Sequence, residues 1–170
     1  METLANTTIL SNFASVNKLD LLKQLHGRLY IPTQVYEELL DGLEDGYDFY
    51  AGIESQIHPF EQDGWIVVVS LDDDNEIALY QSLLQRLHHG EAACLAIARH
   101  RHWAFLTDDK QARRTARDLG IVLSGTLGAL IQSTKQSTLS LDSANELLRQ
   151  MIARGYHSPY ERLDVLLEKD

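Results

Sequence analysis

Basic residues are scarce in this chain: 15 Lys and Arg stand against 25 Asp and Glu among 170 residues, a formal charge of −10. That balance excludes a protein that grips nucleic acid with a broad basic face, because phosphate binding needs clustered cations; any such contact must be local. There is one cysteine, Cys94, so no intramolecular disulfide can form, and the composition fits a reducing compartment. Three prolines and no low-complexity tract leave little room for disorder away from the ends. No apolar run reaches membrane-spanning length, and Met1-Glu2-Thr3 does not open the basic-then-apolar pattern of a secretory signal. The expectation is a cytoplasmic protein with no membrane partner. A Gly-rich phosphate loop and a Gly-x-Ser-x-Gly elbow are also missing. His88, His89, His100 and His102 flank Cys94 without the paired spacing of a structural zinc site.

What is present is 44% hydrophobic residues, enough for a core without staples, and the default organisation is a single domain over residues 1–170. Short apolar runs alternate with amphipathic stretches, the pattern of an α/β protein with a parallel sheet covered on both sides. Strands are predicted at Thr3–Ala5, Arg28–Ile31, Trp65–Ser70, Trp103–Thr107 and Gly120–Leu123. Helices are predicted over Ile9–Leu25 with a break near Asn17, from Pro32 to about Asp41, and from Asp72–Asp74 through the stripe Ile77, Tyr80, Leu83, Leu84 and Leu87. Further helices follow over Glu91–Arg101, Asp109–Leu119 and Gly125–Thr134, with two more between Leu141 and Leu167. The acidic segment from Gly42 to Gln62 reads as a loop plus one helix.

Several acids sit where chemistry is done in such folds. Asp108 and Asp109 follow the apolar strand Ala104-Phe105-Leu106, and sites in open α/β sheets form at the carboxyl ends of strands. One of the pair suffices to cap the next helix; two make a candidate ligand set for a cation. Glu91 starts a helix that is apolar nearly all round, so its carboxylate either escapes at the helix start or is held near the core by a partner. Glu38 lies beside Val35 and Leu39, and Asn6 ends the first strand, where its carbonyl can ligate a hard cation or cap the following helix. Lys110, Arg113, Arg114 and Arg117 form the densest basic stretch, either a solvated helix face or a local phosphate contact. Cys94, among alanines, reads as packing and not as a nucleophile.

Five segments taken together resemble the PIN (PilT N-terminus) superfamily, most closely the bacterial and archaeal PilT-like branch known as DUF3368. They are Asn6-Thr7-Thr8-Ile9-Leu10 with Leu19-Asp20-Leu21-Leu22, Ile31 to Leu39, His89-Gly90-Glu91-Ala92-Ala93, Thr107 to Arg113, and Gly125-Thr126-Leu127-Gly128. The resemblance implies a three-layer α/β/α fold in which acids converge at one end of a central parallel sheet on Mg²⁺ or Mn²⁺. It further implies a metal-dependent endoribonuclease acting on single-stranded RNA, in many relatives the toxin of a toxin-antitoxin pair. By position, Glu38, Glu91 and Asp109 resemble the family's catalytic acids. Asn6 and Asp108 complete the implied metal set, and Thr126, Lys110 and Arg113 the implied substrate contacts. Asn6 stands where most PIN nucleases carry an aspartate, which removes a charge from the site. The implied partners are single-stranded RNA, an antitoxin protein and a second copy of the chain.

Three function classes follow. A metal-dependent ribonuclease would cleave single-stranded RNA with Mn²⁺. A catalytically weakened PIN-fold module would bind RNA or protein without turnover. Another Mg²⁺-dependent phosphoryl-transfer domain would act on small phosphate esters.

Overall fold

Asn6 opens the architecture, because it closes the first strand, β1 (Thr3–Ala5), and caps the first helix, α1 (Thr7–Ser15), through its own side chain. The computed structural model describes residues 1–168. Asn17, in a left-handed conformation at φ 55°, breaks α1 from α2 (Leu19–His26). Then come β2 (Leu29–Pro32), α3 (Thr33–Glu44), α4 (Phe49–Glu54), β3 (Ile57–His58) and β4 (Ile66–Val69). The second half runs α5 (Asp74–Leu83), α6 (His89–Arg101), β5 (Ala104–Leu106), α7 (Lys110–Asp118), β6 (Leu123–Ser124) and α8 (Thr126–Lys135). It closes with α9 (Leu141–Ala153) and α10 (Asp164–Leu167).

All the strand pairings are parallel, in the order β3-β4-β2-β1-β5-β6. Right-handed crossovers require helices on both faces of such a sheet. Here α6 covers β1, β2 and β5 on one face with α5 and α7 beside it, while α1, α2, α8 and α9 pack together on the other. The result is a three-layer α/β/α fold. Its core includes Leu4, Ile31, Ile66 and Phe105 from the strands and Ile9, Phe13, Leu95 and Leu148 from the helices, all fully buried.

Two details depart from the sequence reading. The acidic excursion contains a strand, β3, as well as the one expected helix; Ile57 is fully buried and pairs with Ile66. Two residues are too few to show a period. On α5 the side turned inward carries Glu76, 2% exposed, whereas Ile77 of the expected apolar stripe is 38% exposed. Leu83 and Leu87 of that stripe are buried, and Arg101 explains how Glu76 joins them: it reaches back from the end of α6 to bond both Glu76 oxygens at 2.6 and 2.9 Å, together with Asp72 and the Ser70 carbonyl.

Candidate functional site

In this strand order the chain leaves β1 towards β2 on one side and later returns to β5 on the other, so the crossover changes direction between β1 and β5. The carboxyl edge at such a point is where side chains from separate segments meet. Asn6 leaves β1 there, Thr107, Asp108 and Asp109 leave β5, and α3 and α6 bring Glu38 and Glu91.

Asn6 is 3% exposed and firmly tied: its Oδ1 accepts from the Ile9 amide at 3.2 Å, and its Nδ2 donates to Thr107 Oγ1 at 2.9 Å. Glu38 accepts from the Gly90 amide at 3.0 Å and from the Thr7 hydroxyl, so its carboxylate rests against the first turn of α6. Gly90 is needed for that approach, since a Cβ there would fall 2.6 Å from a Glu38 oxygen. Asp109 caps α7, accepting from Ala112 at 2.7 Å. Glu91 lies between these two acids. Burial pushes its carboxyl up, and the charges of Asp109 and Glu38 push in the same direction. A cleft of about 520 Å³ is lined by Asn6, Thr7, Glu37, Glu38, His88 and Glu91 among others. A neighbouring one, of about 360 Å³, has Glu91, Asp109 and His88 in its wall.

Asp108 points elsewhere. Its Oδ1 accepts from the Thr126 amide at 3.0 Å, and its Oδ2 from the Thr126 hydroxyl at 2.6 Å and Asn12 Nδ2 at 3.2 Å. Tyr156 belongs to the same cluster. Burial raises its phenol well above the usual value, and the adjacent Asp108 charge adds to the shift. Asp108 therefore joins α1, α8 and the segment after α9, and Thr126 is fully buried within this junction. Arg113 closes the floor, Nη1 donating to the carbonyls of Thr107 and Ser124 at 2.8 and 3.1 Å. Lys110 is exposed at the start of α7.

The acids thus fall into two neighbourhoods, Glu38, Glu91 and Asp109 on one side and Asp108 on the other. Among the described residues no group of three or more His, Cys, Asp or Glu is set around a position that would hold a metal ion. The oxygens of Asn6, Glu38 and Asp108 instead face N–H and O–H groups of the protein itself. Cys94 is fully buried, and its thiol is pushed up by burial and by the charges of Glu38 and Glu91, the state of a packing residue.

Sequence reasoning missed Asn12, Tyr156 and a second, larger groove. That groove, of about 860 Å³, runs between α7, the start of α8 and the segment 156–160. Asn12 carried a signal, being the polar residue on the face of α1 that also buries Ile9, Leu10 and Phe13. The distribution of charge carried another. Between Arg28 and Arg86 there is no Lys or Arg but thirteen Asp or Glu, while the rest of the chain holds the other twelve acids and all 15 bases. The acidic stretch builds β2, β4, β3, α3, α4 and α5, so one side of the sheet is strongly negative and the β5–β6 side is not.

No curated protein matches the chain in sequence. Among solved structures, similarity of fold extends to a chain in the crystal structure of VapBC2 from Rickettsia felis bound to a DNA fragment from their promoter. The two chains are 14% identical, with a TM-score of 0.51 over 74% of this chain and 98% of that one. The model of the DUF3368 family, described as a PIN domain, matches residues 2–169. The match spans nearly the whole chain, and the chain belongs to the DUF3368 family of PIN domains.

Proposed function

We propose that this chain is a catalytically weakened PIN-fold module that binds single-stranded RNA along the carboxyl edge of its sheet. The observation that carries the reading is the engagement of the edge by the protein itself. Asn6 contributes no charge, and its amide is fixed by Ile9 and Thr107, while both oxygens of Glu38 accept from Thr7 and Gly90. Side chains so committed to helix starts are poorly free to reorganise around a reacting phosphodiester. The exposed Lys110, Arg114 and Arg117 on α7 supply the local positive charge that an acidic protein needs to hold RNA. The test is fluorescence anisotropy with an unstructured oligouridylate, run beside a cleavage assay with Mn²⁺. Salt-sensitive binding without turnover is expected; cleavage at many turnovers per minute would overturn the weakened reading.

A second reading, the metal-dependent endoribonuclease, is favoured by one observation: the Glu91 carboxyl, raised first by burial, is raised further by Asp109 and Glu38, so three acids share one electrostatic neighbourhood beside a common cleft wall. Mg²⁺ or Mn²⁺ would be held there by these carboxylates and would supply charge neutralisation for phosphodiester hydrolysis. The variant that separates the readings is Asn6→Asp. Aspartate keeps the cap on Ile9, and the Thr107 hydroxyl can turn to donate where it now accepts. Tighter Mn²⁺ binding by calorimetry together with new cleavage is expected if only the missing charge weakens the site. An antitoxin-type protein partner would be recognised by co-purification with the product of an adjacent gene.

A further inference from the structure

The groove between α7 and the C-terminal segment is built unlike the acidic clefts. Lys110, Arg117 and His157 are exposed on it, Arg113 is half-buried at its floor, and Tyr156, Tyr160, Leu127 and Leu166 supply its aromatic and apolar lining. We propose that it is a nucleotide subsite, holding one unit of a single-stranded RNA with its phosphate on Arg117 and Lys110 and its base against the Tyr160 side. This rests on the RNA-binding reading and adds the place and the chemistry of the contact.

Five observations converge. The volume, about 860 Å³, lies within the range of small-molecule sites and exceeds the need of a single nucleotide. The wall combines cations with aromatic and apolar groups, the two halves of single-strand recognition: charge for phosphate, flat faces for bases. Among the described residues the one acid in the lining is Asp108, and it already accepts from Thr126 and Asn12, so its charge is dispersed into the protein and not turned on a ligand. The groove also sits on the β5–β6 side of the sheet, with Lys110, Arg113 and Arg117 on it and away from the segment that holds thirteen acids and no base. Its outer lip is well anchored: Asn145 on α9 donates to Asp164 at 2.9 Å and accepts from the Leu163 amide at 2.8 Å. The lip is thus part of the fold and can act as a fixed wall.

The experiment is a titration of the full chain with uridine monophosphate, uridine and inorganic phosphate, followed by backbone amide shifts. The monophosphate is expected to move the amides of Lys110, Gly125, Gly128 and His157, and uridine to move them far less. Arg117→Ala should weaken the monophosphate about fivefold or more. Arg99→Ala, which removes the same charge from an exposed position on α6 outside the groove, should leave it within twofold. Shifts absent from these amides would overturn the subsite. Equal losses in the two variants would reduce it to diffuse charge, and equal shifts with phosphate alone to a free-anion site; either result overturns it. An oligouridylate arm separates this proposal from the functional reading. RNA binding undiminished by Arg117→Ala and Lys110→Ala removes the subsite and keeps the module, whereas nucleotide shifts in a chain that binds no oligomer keep the subsite and remove the module.

Discussion

Glu91 is the residue whose charge is least comfortable. It is half-buried between Glu38 and Asp109, and the carboxyl is raised by burial first and by those two charges after it. A carboxyl raised in the folded state binds its proton more tightly there than in the unfolded chain. Stability from this group is therefore complete below the ordinary glutamate value and is lost as pH rises through the raised one. Glu91→Gln removes the penalty. Its melting temperature should exceed the parent's by about 1–2 °C at pH 7, a modest gain because solvent screens a half-exposed charge, and the difference should vanish near pH 4. Thermal melts at the two pH values decide it. A variant less stable at pH 7 would mean that Glu91 is satisfied by a contact stronger than the repulsion.

At the scale of elements, the joint between α5 and α6 depends on one guanidinium. Burial alone would push Glu76 up, but the Arg101 hydrogen bonds and the Asp72 amide hold it below the usual carboxylate range. The pair's contribution is complete above the ordinary glutamate value and fades as pH falls towards the lowered one. Arg101→Ala leaves a nearly fully buried carboxylate unpaired and also removes the cation over the Trp103 ring, 5.3 Å from its centroid. The expected cost is about 3 kcal/mol at pH 7, the low end for a broken buried pair, measurable by urea unfolding. A loss under about 1 kcal/mol would show that water reaches Glu76.

The joint also marks how far the sequence could be read. Strand and helix positions were legible because runs such as Ala104-Phe105-Leu106 and signals such as Asp73 before α5 are local, and Asp73 does cap α5 at the Asn75 and Glu76 amides. Glu76 was not legible, because what makes its burial tolerable lies 25 residues away on Arg101. Asp108 and Asp109 illustrate the same limit at the site. Their adjacency suggested a shared purpose, yet consecutive residues leaving a strand face different ways, and one caps α7 while the other secures α8. Asn6 was legible as a helix cap, and its second bond, to Thr107 across 101 residues, was not.

On the scale of the whole molecule, the charge count acquires a geometry. Thirteen acids with no base between Arg28 and Arg86, two of them (Asp72 and Glu76) met by Arg101 from α6, leave the β2–β4–β3 side self-repelling. Added salt screens like charges spread over a surface. The melting temperature should therefore rise by several degrees between about 10 and 300 mM NaCl at pH 7, before any specific ion effect, and scanning calorimetry at low buffer concentration measures it. A flat response would mean that paired cations already neutralise that side.

The same segregation makes the charge of the protein uneven across the strand order, more negative towards β3 than towards β6. A molecule with net charge −10 would ordinarily be turned away by a polyanion at every approach. One of uneven charge is repelled on average but rotated by the field, so that the encounters that survive present the β5–β6 side first. The long-range field then acts as an orientational filter, fixing which edge of the molecule meets a charged partner before any side chain touches it.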